Sequence, residues 1–289
     1  MARQRDADFD VIRSGAETIK LQEAGSKGVL LLHGFGDTPQ TLSLLANRLA
    51  NAGYCVYAPL LPGHGRTMDA FRRSRADDWI EAARVAALEM RARHQTLSVV
   101  GLSMGGALAV MVAAEIRDIS SLVLIAPYLG MPLFLGFAAR MHWLWGRAAG
   151  DVNARSPRSI RDPIERAKNL AYGAVTGRAL FELARVVKAA RKSLPDVTAP
   201  TLIIQSREDP RIAPRVAEFA LRALGANQKK LIWINGAGHI ITVDFGRDLV
   251  FSEVVTWLRT HDSQARQPLA NSNAAVDPTA ARSDPERTQ

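Results

Sequence analysis

Gly101-Leu102-Ser103-Met104-Gly105 is the stretch that decides how this 289-residue chain is read. Ahead of it, Leu97-Ser98-Val99-Val100 is a short apolar run that reads as a buried strand. Behind it, the residues from Gly106 to Ala114 are small and apolar and read as a buried helix. A serine on a sharp turn between strand and helix is forced into strained backbone with its hydroxyl accessible. The flanking glycines are needed because a side chain there would strike the neighbouring strand or helix. The pentapeptide alone is common by chance. Set between a strand and a helix it is informative, and it requires a base, an acid and a pair of anion-stabilising donors elsewhere in the chain.

Working outward, strands and helices alternate. Thr18 to Gln22 alternates apolar and polar residues like an edge strand, and Gly28 to Leu32 is a buried strand. Thr38-Pro39 predicts a helix start, with a capping hydroxyl followed by proline at the first helical position, and Leu42, Leu45 and Leu49 mark its inner face. Tyr54 to Ala58 is the next strand. An amphipathic helix over Asp78 to Arg93 turns Trp79, Ala83, Ala86, Ala87 and Met90 inward. Further strands are expected at Ser121 to Ala126, Thr201 to Gln205 and Lys230 to Ile234, with helices around Ala213 to Leu224 and from about Arg247 to Thr260. Continuous apolar strands separated by helices imply an α/β fold, a mostly parallel sheet covered on both faces.

The alternation breaks between Pro127 and Pro200, where no convincing strand is seen. This stretch has an apolar first half (Tyr128 to Trp145), a polar middle (Gly150 to Asp162) and a helix from about Arg178 to Lys192. It reads as a helical cap inserted over the sheet. The expected organisation is a core of residues 1–127 and 200–261, a cap of residues 128–199, and a tail of residues 262–289. The tail is polar, lacks aromatic residues and is expected to be disordered.

Bulk properties narrow the function. A hydrophobic fraction of 47% and a charged fraction of 22% fit an ordinary globular domain with a full core. The formal charge of +9 raises the question of nucleic acid. However, the arginines are scattered and no nucleic-acid motif or stacking array accompanies them, so no such partner is expected. Cys55 is the single cysteine, which excludes an internal disulfide and a cysteine-based metal site. The N-terminus lacks the apolar core of a signal peptide, no apolar run is long enough to cross a bilayer, and a cytoplasmic location is expected.

A serine hydroxyl needs a base to take its proton and an acid to orient that base. Of six histidines, His239 lies in Asn235-Gly-Ala-Gly-His239, directly after the last strand and at the sheet edge that carries Ser103. His33 and His64 lie in glycine-flanked turns near the same edge. Asp209, in Ser206-Arg-Glu-Asp-Pro210, leaves that edge after a strand and is the expected acid. Glu208 is its main rival and Asp244 a more distant one. The 30 residues from Asp209 to His239 fit one helix and one strand, and the 106 residues from Ser103 to Asp209 leave room for the cap. The oxyanion donors are expected at the N–H of Met104, where a helix begins, and the N–H of Phe35 in the turn His33-Gly34-Phe35-Gly36. Pro62-Gly63-His64-Gly65 reads as a structural turn. No metal or organic cofactor is expected.

These segments together resemble a known family. Leu30 to Gly36, Thr38-Pro39-Gln40, Leu60 to Gly65, Gly101 to Gly106, Gln205 to Asp209 and Gly238 to Asp244 are similar to bacterial monoacylglycerol lipases and the related carboxylesterases, which are α/β-hydrolases. The resemblance runs from about Leu30 to Leu258, strongly in the core and weakly in the cap. It implies a Ser103, Asp209, His239 triad, oxyanion amides at Phe35 and Met104, and hydrolysis of monoacylglycerols or short- to medium-chain esters through an acyl-enzyme. Two departures stand out. Pro210 follows the acid, and the first half of the cap is rich in large apolar residues (Phe134, Phe137, Trp143, Trp145). That half suits packing, an acyl-chain wall, or weak peripheral contact with a lipid surface beside Arg140 and Arg147. The triad does not encode the leaving group, so thioesters, amides and carbon–carbon bonds stay open. A non-catalytic binder could have discarded the triad that this chain keeps.

Overall fold

The computed structural model describes residues 11–145, 150–154 and 156–264. Its centre is a seven-stranded sheet. Edge strand β1 (Ile19–Leu21) pairs antiparallel with β3 (Cys55–Ala58), and β3 pairs in parallel with β2 (Lys27–Leu32). Helix α1 (Ser43–Asn51) crosses between β2 and β3. Two further helices, α2 (Met68–Arg73) and α3 (Ala76–Arg93), lead to β4 (Thr96–Leu102). Then come α4 (Met104–Glu115) and β5 (Ser121–Ile125).

The next segment carries α5 (Leu133–Arg140), α6 (His142–Trp145), β6 (Val152–Asn153), α7 (Pro163–Lys168), β7 (Ala174–Val175) and α8 (Gly177–Ser193). The chain then rejoins the sheet through β8 (Thr201–Ser206), α9 (Pro214–Ala223), β9 (Lys229–Ile234) and α10 (Arg247–Gln264). The strand order is β1-β3-β2-β4-β5-β8-β9, parallel throughout except at β1.

The apolar strands read from the sequence are buried on both faces. On one side Trp79, Ala83, Leu108 and Val112 pack over Leu97, Val99 and Leu122; on the other, Leu45, Leu49, Val254 and Leu258 pack over Val29, Leu31 and Val100. Helix α4 is apolar all round because it is covered all round, with nine of its twelve residues buried.

Several details differ from expectation. Thr38 does not cap the helix after it: residues Pro39–Leu42 form a 3-10 turn, and the Asp37 carboxylate takes the Thr38 N–H at 2.9 Å and the Thr41 hydroxyl at 2.8 Å. The inserted segment does contain strands, since β6 and β7 pair antiparallel over two residues. They are too short for a period-two pattern to register. The last helix continues through Asp262 to Gln264, held by His261, whose ring bonds the Trp257 carbonyl and the Gln228 side chain. The expected tail from residue 265 onward lies outside the described residues.

Among the polar ties that fasten the inserted segment to the rest of the fold, two are made by buried or part-buried side chains of the segment itself, Tyr172 and Glu182. The Tyr172 hydroxyl donates to the Gly63 carbonyl at 2.9 Å and accepts the Arg66 N–H at 3.0 Å. Glu182, fully buried on α8, accepts the Ala76 N–H that opens α3 and pairs with Arg178 and Arg185. A buried carboxylate without such partners would be costly.

Candidate active site

Ser103 sits at the junction of β4 and α4 with φ 56° and ψ −117°, a left-handed conformation rare for a residue with a side chain. The neighbouring glycines make this turn feasible. A Cβ on Gly105 would lie 2.0 Å from the Leu32 carbonyl oxygen, and one on Gly101 would lie 2.2 Å from that of Gly105. Both obstacles are backbone, so no side-chain adjustment relieves them. The strain lifts the serine hydroxyl out of the sheet edge.

His239 and Asp209 arrive from the ends of the two strands beyond β5. The His239 Nε2 lies 2.9 Å from Ser103 Oγ, and its Nδ1 lies 2.8 Å from Asp209 Oδ2. An ionised carboxylate only accepts, so Nδ1 carries the proton and Nε2 is free to accept from the serine hydroxyl. Residues 103, 209 and 239, widely spaced in the chain, thus form one line of hydrogen bonds.

Asp209 is held on every side. Its Oδ1 accepts the Arg211 N–H at 2.7 Å and the Ile212 N–H at 3.0 Å, and its Oδ2 also accepts the Gln205 amide at 2.9 Å. Burial would raise its carboxyl, but the His239 charge and these hydrogen bonds outweigh it and hold the group below the usual carboxylate range. Pro210 is compatible with this loop, because it is the next two N–H groups that turn back to the carboxylate. His239 is fixed through its backbone, since the His239 and Ile240 N–H groups both donate to the Ser159 carbonyl at 2.9 Å.

The rivals have other work. Asp244 is fully buried and accepts the backbone N–H groups of Arg161, Asp162, Gly238 and Phe245. It braces the histidine loop without touching the ring. Glu208 accepts the Gly236 N–H at 3.1 Å.

The Phe35 and Met104 N–H groups have no hydrogen-bond partner among the described residues, as free oxyanion donors require. Met104 also opens α4, so the helix dipole favours negative charge there. His33 and His64 are sealed beneath this edge with ring centroids 5.0 Å apart. His33 Nε2 accepts the Leu61 N–H and ties the two glycine turns together. Burial lowers the His33 imidazole to about 4, and His64 falls well below its ordinary value through burial and the neighbouring His33.

Sequence reasoning missed Asp37, which lies beside the site, lines its cavity and is buried. Burial raises its carboxyl to about 6 against the pull of Thr41, Thr38 and His239. An aspartate before Thr-Pro looks like an ordinary turn residue, so nothing in its local pattern marks it. Arg211 and Ser159 were missed because their side-chain contact spans the fold, and Gln205 because a glutamine near the end of a buried strand carries no local mark of its bond to Asp209.

The three residues open into a cavity of about 1020 Å³ between the sheet edge and the inserted segment. Phe134, Leu135, Val175, Leu180 and Leu183 form an apolar flank. Among the described residues, no group of three or more His, Cys, Asp or Glu is placed to hold a metal ion.

Residues 25–245 match the family described as Serine aminopeptidase, S33. The chain belongs to this family. Among its relatives is the thermostable monoacylglycerol lipase of Bacillus sp. (strain H-257), 29% identical over 252 residues, an alignment covering 86% of this chain and 97% of the relative. The carboxylesterase of Bacillus subtilis (strain 168) is 24% identical over 241 residues, covering 83% and 95%. A solved structure described under LipS and LipT, two metagenome-derived lipolytic enzymes, superposes with a TM-score of 0.80 at 31% identity, covering 87% of this chain and all of that one. The monoacylglycerol lipase of Paleococcus ferrophilus shares the fold at TM-score 0.72 and 22% identity, with 84% and 98% covered. The resemblance to monoacylglycerol lipases and carboxylesterases, and the α/β-hydrolase fold it implied, are therefore both found.

Proposed function

We propose that this S33 family member hydrolyses carboxylic esters through an acyl-enzyme, with Ser103 as nucleophile, His239 as general base and then acid, and Asp209 as the group that orients the imidazole. The observation that carries the reading is the unbroken line Ser103 Oγ, His239 Nε2, His239 Nδ1, Asp209 Oδ2, with links of 2.9 and 2.8 Å. Ser103 attacks the ester carbonyl while His239 takes its proton. The carbonyl oxygen, now negative, is received by the Phe35 and Met104 N–H groups. His239 returns the proton to the leaving alcohol, and a water activated by the same ring releases the acid.

Monoacylglycerols and short- to medium-chain esters suit the cavity. Its apolar flank can cover an acyl chain, and each buried methylene contributes about 0.8 kcal/mol. The family description names an aminopeptidase, but an N-terminal ammonium needs a carboxylate to meet it. Asp37 is the carboxylate that lines the cavity, and its oxygens are engaged by Thr38 and Thr41. The relatives named as lipase and esterase agree better with such a wall.

The segment of residues 128–199 acts in this reading as a cap over the core of residues 1–127 and 200–261. Leu133, Phe134, Phe137 and Trp143 stand exposed on its first two helices, and Phe134 also lines the cavity. This continuity supports weak contact with a lipid surface that delivers substrate to the site. Of the residues first considered for that contact, Arg147 and the side chain of Trp145 lie outside the described ones. No helix among the described residues is long and apolar enough to cross a membrane. A cytoplasmic location is part of the proposal, and the free, buried Cys55 is compatible with a reducing compartment.

The test is a series of nitrophenyl esters of rising chain length beside a monoacylglycerol. The value of kcat/KM should rise roughly fourfold per methylene, the equivalent of ~0.8 kcal/mol, until the flank is filled. No turnover of any ester by folded protein would refute the reading.

A further inference from the structure

Two arginines line the active-site cavity without a carboxylate to meet them. Arg211 is half-buried in the wall. Its Nε donates to the Ser159 hydroxyl at 3.0 Å and its Nη2 to the Ala154 carbonyl. Its Nη1 has no hydrogen-bond partner among the described residues and is not among the sealed polar atoms, and the side chain lines the cavity. Arg166 stands exposed at the mouth, with Nη1 turned to the Pro157 and Ile160 carbonyls. Neither forms an ion pair among the described residues. Both hydrogen-bond the same short stretch, residues 157–160.

The nearby carboxylates are already committed. Asp209 is spent on His239, Gln205 and two backbone N–H groups. Asp162 pairs with Arg247 and Glu165 with Lys168. Asp37 is held by Thr38 and Thr41. A guanidinium held out of bulk water by carbonyl and hydroxyl acceptors alone is incompletely compensated. Burial accordingly lowers the Arg211 proton affinity, with Tyr128 and Asp209 opposing the shift.

Position gives this cation a role. Ser159 joins Arg211 to the histidine, since its hydroxyl takes the Arg211 Nε–H while its carbonyl takes the His239 N–H. The leaving oxygen has to reach His239 Nε2 to receive its proton, and Arg211 lines the same cavity as that ring and Ser103. We infer that the alcohol half of the substrate carries an anionic group, a carboxylate or a phosphate, seated against Arg211 Nη1 with Arg166 at the mouth. This rests on the ester-hydrolase reading above and, within it, favours esters of anionic alcohols over neutral monoacylglycerols. The bonds made and broken are unchanged: the acyl carbon passes from the alcohol oxygen to Ser103 Oγ, and the alcohol leaves with the His239 proton.

The experiment compares butyryl esters that differ in the charge of the alcohol, followed by titration of released acid. These are 1-butyrylglycerol and O-butyryl glycolamide (neutral), 1-butyrylglycerol 3-phosphate and O-butyryl glycolate (anionic), and butyrylcholine (cationic). At least one anionic ester should exceed its neutral match by roughly tenfold in kcat/KM, as a charge-assisted hydrogen bond to guanidinium would give. Which of the two does so distinguishes phosphate from carboxylate. Arg211→Met should bring the anionic-to-neutral ratio toward one, and Arg166→Met should lower it less. Equal rates for neutral and anionic esters, or a preference for butyrylcholine, overturn the inference. So does an Arg211→Met variant that slows all esters alike and keeps the ratio, because that marks a structural strut. Calorimetry of the same esters on Ser103→Ala separates the two claims. Anion-selective binding without turnover by the wild type keeps the anion site and removes the ester-hydrolase reading; equal binding of all five esters overturns the anion site whatever the turnover.

Discussion

Replacing Asp209 by asparagine should stop catalysis while leaving the fold nearly intact, and the hydrogen bonds show why. Asparagine keeps one acceptor oxygen. Two backbone N–H groups, from Arg211 and Ile212, point at Oδ1, whereas His239 and Gln205 share Oδ2. Setting the amide nitrogen against the two backbone donors would leave both unpaired, at about 1–3 kcal/mol each. The amide therefore keeps its oxygen on the Oδ1 side and presents its nitrogen to His239. Gln205 can accommodate this by turning over, since its own Oε1 is buried without a partner. His239 cannot accommodate it without changing tautomer. Its Nδ1 must become an acceptor, so Nε2 carries the proton, donates to Ser103 Oγ and has no lone pair left to take the serine proton. A loss of about 10⁴ in kcat follows, near 5 kcal/mol of transition-state stabilisation. The assay is kcat on a butyryl ester, with thermal unfolding run alongside and Glu208→Gln as control. Retention of more than roughly a tenth of wild-type kcat by Asp209→Asn, or an equal fall in Glu208→Gln, would refute this chain of reasoning.

Three other perturbations follow from the same geometry. Gly105→Ala places a methyl group 2.0 Å from the Leu32 carbonyl oxygen and should cost about 3 kcal/mol or more, read as a lower denaturant midpoint. Tyr172→Phe removes the hydroxyl that accepts the Arg66 N–H and donates to the Gly63 carbonyl, and faster amide exchange over residues 169–175 at unchanged global stability is the expected signature. The third is a pH effect with two opposing parts. His33, lowered by burial to about 4, binds its proton more weakly folded than unfolded, so stability is lost as pH falls from about 6.5 to about 4. Asp37, raised by burial to about 6, does the reverse, and stability is lost as pH rises from about 4 to about 6. At ~1.36 kcal/mol per pH unit each of these two contributions is about 3 kcal/mol and they offset one another, while His64, also lowered by burial, adds to the loss on the His33 side. Asp37→Asn removes one side of the balance, and urea titrations should show a steeper loss of stability below pH 6 than in wild type.

What the sequence made legible was what local pattern and chain order can carry. The strand before Ser103 and the helix after it are continuous apolar runs. The sites of Asp209 and His239 follow from where later strands end, because parallel strands deliver their following loops to one edge. Glycines 101 and 105 were legible because their absence of side chain has a single steric reason. What stayed hidden acts between distant segments. The Asp37 carboxylate replaces Thr38 as the organiser of the turn after β2 by reaching Thr41, and its burial depends on the whole edge. Asp244 could be weighed as an acid from sequence, but its four backbone donors come from two separated loops. Arg211 looks like one more arginine in a basic chain until Ser159 and Ala154 are seen to hold it in the cavity wall.

In the proposed mechanism Ser103 carries the acyl group. Folded wild-type protein treated with a fluorophosphonate should gain one adduct by intact mass, mapped to Ser103, and Ser103→Ala should gain none. An unlabelled wild type, or an adduct that persists in Ser103→Ala, would contradict it.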